Sequence, residues 1–268
     1  MSSELGLLIG HLATALEGAP DAGALAVLGD PPRNLPVEHE RVFGYEVRPV
    51  ASVFLSPDAS LGGSVASLAA RVRVACGAEK VVGEPDDAGA LLRLLAEVAD
   101  DPAWAVPVID RLMTPWWPAL HVAVVQARSP WFASATALAL DAVIGLRATF
   151  PAPREVVEPS VVQSERLDGL LVPAAAGGWL LPSAIRRIAT SCGLPCGLGT
   201  RRDLLRAVLD GAAGAALLDT VEAELVSELD AWDAVLSNGC GPVEPWRRRI
   251  AATRRKLVDE GALAACRR

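Results

Sequence analysis

Three histidines, His11, His39 and His121, are the only imidazoles this chain has for acid–base work or metal ligation. They lie far apart in different predicted helices, without the neighbouring carboxylate or cysteine spacing that a metal site uses. Each therefore reads as an imidazole satisfied by its packing neighbours. Five cysteines, Cys76, Cys192, Cys196, Cys240 and Cys266, are odd in number and form no CxxC pair. That set argues against zinc and against a disulfide framework, and points to reduced thiols. The run Gly193-Leu194-Pro195-Cys196-Gly197-Leu198-Gly199 is glycine-rich, but it sits between helices and lacks the lysine and hydroxyl of a phosphate-cradling loop, so a connecting turn is expected. No GxSxG nucleophile elbow is present. These absences lower the expectation of catalysis without removing it, because a triad is defined in space. A helical enzyme would need titratable groups converging on a polar cavity, around His121 or Asp110.

The sharpest local signal is the acidic turn Glu84-Pro85-Asp86-Asp87. Its ordinary role is helix capping, with Asp86 or Asp87 accepting amide hydrogen bonds and complementing the dipole of the next helix. A negatively charged rim for an arginine-bearing peptide is compatible with that role. Four of the seven tryptophans, Trp104, Trp116, Trp117 and Trp131, fall in one region. Buried packing is their ordinary use, and aromatic anchoring at an interface is the functional one. Trp116 and Trp117 are adjacent and cannot share a helical face, so one is expected to be partly exposed at a peptide groove. Basic residues gather near the C-terminal end at Arg247, Arg248, Arg249, Arg254, Arg255 and Lys256. They read as a solvated helix face or as a contact for an acidic partner.

The elements that would carry these residues are helical. Leu5, Leu8, Ile9, Leu12 and Leu16 repeat at helical spacing from Ser2 to Glu17, before Gly18 and Pro20 end the pattern. A short amphipathic segment, Val37 to Phe43, precedes an irregular region to Ser60. Val65, Leu68, Ala69 and Val72 mark a helix to about Cys76, and Ala88 to Val98 another directly after the acidic turn. Pro115 and Pro118 interrupt Val106 to Ala127, so a kink or a junction of two helices is expected at Trp116-Trp117. Ser129-Pro130 reads as an N-cap and first helical residue opening a long apolar helix to about Phe150. Further helices are expected from Ser183 to Cys192, from Thr200 with Asp203 as a capping-box partner, over Leu218 to Asn238, and from Pro245 onward. Leu218, Val221, Leu225, Leu229, Trp232 and Leu236 form the clearest buried stripe. Short strands at Val81–Val82 or Leu170–Pro173 would not make a sheet. Residues 151–168 read as a connecting loop.

No stretch reaches the roughly 18 uninterrupted apolar residues of a spanning helix, since Asp141 interrupts the best one, and no positive n-region precedes the first apolar residues. A soluble protein without a secretory signal is expected. The formal net charge of −7 disfavours general nucleic-acid binding and makes a cationic partner easier.

At the acidic turn, Glu84-Pro85-Asp86-Asp87-Ala88-Gly89 resembles the Glu-Pro-Asp-His turn of the TorD/NarJ/DmsD chaperones that mature molybdenum enzymes. Upstream, Glu40-Arg41-Val42-Phe43-Gly44 resembles that family's Arg-Leu-Phe segment, and Ala51-Ser52-Val53-Phe54-Leu55-Ser56-Pro57 through Leu61-Gly62-Gly63 resembles the stretch before its next helix. Downstream, Leu112-Met113-Thr114-Pro115-Trp116-Trp117-Pro118 is similar to its Leu-x-Pro-Trp segment and is followed by a Ser-Pro-Trp-Phe helix start. The four likenesses occur in order over about Glu40 to Phe150, with Asp87 standing where the family has histidine. The resemblance implies an all-α fold, one TorD-like bundle of about ten helices spanning 1–268, as one unit or two subdomains. It further implies a cytoplasmic, non-enzymatic chaperone without cofactor, a monomer or helix-exchanging dimer. The partner would be the twin-arginine signal peptide or apo catalytic subunit of a molybdopterin oxidoreductase. Peptide contacts would fall to Glu84, Asp86, Asp87, Trp116 and Trp117. The alternative expectation is a helical interaction or regulatory module unrelated to metalloenzyme assembly.

Overall fold

The structure, a computed structural model, describes residues 2–151, 153, 167–239 and 241–258. Most of the expected loop at 151–168, together with Cys240 and Cys266, lies outside the described residues. In chain order the α-helices are α1 (Ser2–Leu16), α2 (Ala22–Leu28), α3 (Leu35–His39), α4 (Ala51–Leu55), α5 (Gly63–Ala75), α6 (Ala88–Val98) and α7 (Pro102–Pro107). They continue with α8 (Trp117–Gln126), α9 (Pro130–Ala148), α10 (Pro173–Ala176), α11 (Pro182–Ser191), α12 (Arg201–Ala215), α13 (Leu218–Ser237) and α14 (Glu244–Val258). Two wider, π-type segments, Glu40–Glu46 and Val108–Met113, and a 3-10 turn at Leu167–Leu171 complete the set. The described residues contain no strand, only an isolated antiparallel bridge between Val50 and Asp87. The fold is all-α. It has fourteen α-helices among the described residues, roughly consistent with the expected ten, since five of them are short: α2, α3, α4, α7 and α10 have seven residues or fewer.

The most extensive packing is between α1 and α6, with α9 next against α1. Ile9, Leu12 and Leu16 of α1 are buried as the periodicity predicts, and they meet Leu91, Leu92, Leu94 and Leu95 of α6 in one core. The helices approach so closely that a Cβ at Gly6 would come within 2.8 Å of the Ala99 methyl. In the last third, all six residues of the predicted α13 stripe are buried, as are Trp246, Ile250 and Leu257 of α14. Thr200 and Asp203 form the expected capping box of α12. Ser129 and Pro130 take the expected places at the start of α9, although the Ser129 hydroxyl bonds no amide of that helix.

An aromatic column joins the two halves of the chain. Trp117 lies against Trp116 (5.5 Å between ring centroids), Trp116 against Phe54 (5.3 Å), and Phe54 stacks on Trp179 (5.4 Å). The Arg201 guanidinium caps the column 3.5 Å from the Trp179 ring. The indole N–H groups are satisfied by backbone carbonyls: Trp116 by Leu112, Trp117 by Thr136, Trp179 by Glu46 and Trp246 by Pro115. Buried tryptophan brings large apolar area into the core only if that one donor finds an acceptor.

By length and composition α9 is the one helix among the described residues long and apolar enough to cross a membrane, with Asp141 interrupting its apolar run. Its packing accounts for the apolar sequence: 56% of its most apolar 18-residue stretch is buried inside the protein. Arg147 near its end makes a bidentate pair with Asp110 of the second π-type segment, at 2.8 and 3.0 Å. The two side chains are only 4% and 1% exposed, and Arg147 also donates to the carbonyls of Phe150 and Pro153.

Burial of both charges makes the pair costly to break, because the survivor stays desolvated. Asp110→Ala is expected to lower the free energy of unfolding by about 3–5 kcal/mol, whereas the double change Asp110→Leu with Arg147→Met recovers most of the loss. Urea unfolding followed by circular dichroism checks both. A single variant within about 1 kcal/mol of the parent would contradict this account.

Candidate functional site

The acidic turn is a joint between two helix starts. Asp86 is fully buried: its Oδ2 accepts the Ser52 amide at 2.7 Å, and its carbonyl oxygen accepts the Ala51 amide at 2.9 Å. Since α4 follows the apolar N-cap Val50, which has no side-chain acceptor to offer, Asp86 serves as a cap from 34 residues away. The Ala88 amide returns to Pro49 O at 2.8 Å and closes the joint. Asp87 is the local N-cap of α6, its Oδ1 accepting the Gly89 amide at 2.9 Å. Burial pushes the Asp87 carboxyl up to about 6, opposed by its amide bonds and reinforced by the negative charges of Glu17 and Asp86.

Of the five residues expected to contact a peptide, the structure brings Glu84, Asp86 and Asp87 together in this turn and places Trp116 and Trp117 elsewhere, in the core. Asp86 has no exposed surface, while Glu84 and Asp87 keep some. Trp116 and Trp117 are 0% and 1% exposed, which corrects the expectation that one of them reaches solvent. Two indoles adjacent in sequence are both covered because the start of a helix falls between them. Trp116 precedes α8 and turns to Phe54, and Trp117 opens α8 and reaches α9.

A different surface gathers accessible polar groups. Ser183, Arg186, Arg187, Thr190 and Ser191 fall at i, i+3, i+4, i+7 and i+8 of α11, so they share one helical face. They line an open groove of about 560 Å³ whose other wall is Glu46, at the end of the first π-type segment. Glu46 is itself buried: its Oε2 accepts the Ser183 amide at 3.1 Å, so it caps α11, whose N-cap residue Leu181 is apolar. Beside it Tyr45 is 51% exposed, with the Arg186 guanidinium 5.4 Å from its ring centroid. Arg187 is paired with Glu228 of α13 at 3.1 Å. The hydroxyls of Thr190 and Ser191 donate to the carbonyls of Arg186 and Ile188, which leaves their oxygens as acceptors toward the groove. This polar stripe was present in the sequence of α11; Tyr45 and Glu46 carry no local sign of belonging to it.

The histidines are engaged in packing. His11 Nδ1 lies 2.8 Å from Asp21 Oδ2, His39 Nε2 2.9 Å from Leu16 O, and His121 Nδ1 2.9 Å from Thr136 Oγ1. Burial lowers the His121 pKa and keeps that ring neutral. Asp110 is held by Arg147, so the two groups singled out for an enzyme reading are each taken up by a neighbour. Among the described residues no group of three His, Cys, Asp or Glu side chains could hold a metal ion. No family model, curated protein or solved structure matches this chain.

The Asp87 carboxyl supplies a pH test. Its pKa is higher folded (about 6) than unfolded (3.8). Its favourable contribution is therefore complete below the unfolded value and is lost as pH rises through about 6. Asp87→Asn keeps the capping oxygen and cannot ionise. The substitution is expected to raise the melting temperature at pH 7.5, by a stability gain of at most about 3 kcal/mol, with little change at pH 4. Thermal unfolding at the two pH values measures this, and an equal shift at both would count against the buried-carboxylate account.

Proposed function

We propose that this chain is a non-catalytic, polypeptide-holding protein of chaperone type, which retains a segment of an immature partner in the groove along α11. The observation that carries the reading is the groove itself. It is open to solvent, about 560 Å³ in volume and walled by both signs of charge with an exposed tyrosine at its edge. An open trough of this kind suits an extended chain, which makes many modest contacts along its length. Enclosure and converging titratable groups, as a reacting centre would need, are not what its lining offers.

The client class comes from the resemblance over Glu40 to Phe150: the catalytic subunit of a molybdopterin oxidoreductase, held until its cofactor is inserted. Capping by Asp86 and the core positions of Trp116 and Trp117 move the expected contact away from those three residues. An arginine-bearing signal peptide at the acidic turn would meet only Glu84 and Asp87, with Glu17 close by.

Affinity purification of the tagged full chain from its own cells tests the client. A molybdenum-enzyme catalytic subunit, enriched in its cofactor-free form, is the expected companion. Recovery of a different set of proteins, with no such subunit, would favour a helical interaction module unrelated to metalloenzyme assembly.

A further inference from the structure

Arg186 stands out in the groove because of what faces it. Among the described residues its guanidinium has the Tyr45 ring at 5.4 Å and no carboxylate at ion-pair distance, whereas its neighbour Arg187 is already paired with Glu228. A guanidinium lying over an aromatic face keeps its planar fork of donors free at the edges, and that fork fits a carboxylate through two parallel hydrogen bonds. Along α11 the remaining polar groups recur every turn, about 5.4 Å apart. An extended chain repeats its side chains on one face about every 6.6–6.8 Å, close enough for two or three successive contacts.

We propose that the groove between Tyr45–Glu46 and α11 binds an extended acidic polypeptide segment, with a carboxylate side chain seated on Arg186. The assignment rests on the polypeptide-holding reading and names the chemistry of what is held. Ser183, Thr190 and Ser191 flank the anchor, and the acceptor oxygens of Thr190 and Ser191 suit backbone amides of the bound segment. Charge complementarity selects this occupant. A nucleic acid carries a negative charge on every backbone unit and would meet Glu46 in the groove and Glu228 beside Arg187, on a chain of net charge −7. A peptide with carboxylates at alternate positions places one on Arg186 and keeps the others in solvent. A small free anion would gain a single guanidinium in an open, hydrated groove, where one ion pair contributes little.

The test is fluorescence anisotropy with the full chain and a labelled, end-blocked octapeptide of alternating glutamate and alanine, beside its counterpart with lysine for glutamate. The glutamate peptide is expected to bind and the lysine peptide not to bind. Arg186→Gln should weaken binding by up to about fivefold, the loss of about 1 kcal/mol expected for a partly exposed ion pair. Arg186→Lys should fall between, and Tyr45→Ala should weaken binding as well. These side chains are partly exposed, and thermal unfolding verifies that each variant is folded; were Arg186→Gln to misfold, Arg186→Lys and Tyr45→Ala decide the matter. Equal binding of the two peptides, unchanged affinity in the folded Arg186 variants, or mole-for-mole competition by glutarate would overturn the assignment, the last by making this a small-anion site. The two proposals fail separately. A molybdenum-enzyme subunit that co-purifies equally with the parent and Arg186→Gln leaves the client reading standing and removes this one. Peptide binding as described, without such a subunit in the purified material, does the reverse.

Discussion

Every helix begins with amides that its own backbone cannot satisfy, and the architecture of this protein follows from how two of those debts are met. Helices α4 and α11 are preceded by Val50 and Leu181, neither of which can accept a hydrogen bond through its side chain. Buried carboxylates from elsewhere in the chain take the place of a local cap: Asp86 for α4 and Glu46 for α11. An unpaired amide inside a protein costs about as much as a lost hydrogen bond, so neither carboxylate can leave without consequence. Each cap thereby ties together segments that the sequence holds far apart. The 49–52 stretch is fastened to the start of α6, and the first π-type segment to the start of α11.

The groove inherits its shape from the second of these ties. Glu46 faces α11 with its carboxylate and receives the Trp179 indole on its carbonyl oxygen, so side chain and backbone of one residue are both anchored. Trp179 in turn is clamped between Phe54 and Arg201, and burial lowers the Arg201 pKa only to about 10, which leaves it charged at neutral pH. The wall that carries Tyr45 is therefore held by packed aromatics and buried hydrogen bonds. At Gly177 and Gly178 the chain passes so close to α13 and α14 that a Cβ would fall within 2.6 Å of the Ile250 nitrogen or 2.3 Å of the Trp232 ring. The groove consequently sits on a tightly seated scaffold, the arrangement that gives a binding surface its geometry.

Long amphipathic elements were legible in the sequence because their information is local. The α13 stripe, the capping box of α12 and the junction at Trp116-Trp117 all rest on residues within a turn or two of one another. Short helices were not legible for the opposite reason. Every residue of α4 is buried and its cap lies 34 positions downstream, so neither a period nor a local start signal marks it. Helix α2 consists only of apolar residues and glycine, of which Ala24 alone is buried, and it has no polar face against which a period could be read. Capping was rightly among the readings of the acidic turn. What the sequence could not supply was which of two adjacent aspartates points inward. Adjacency also misled at Trp116-Trp117, where the rule that neighbours cannot share a face holds only within one continuous helix.

The remote cap on α4 also has a consequence in time. During synthesis residues 49–55 leave the ribosome before Asp86 does, so the stretch emerges without its remote cap and with five residues destined for the interior exposed to water. Helices of five residues have no stability of their own in water. This segment must therefore remain uncoiled until the 84–88 turn arrives, and the aromatic column that runs through Phe54 can close only after that. The contacts that link the two halves of the chain therefore wait on Asp86 and, further along, on Trp179.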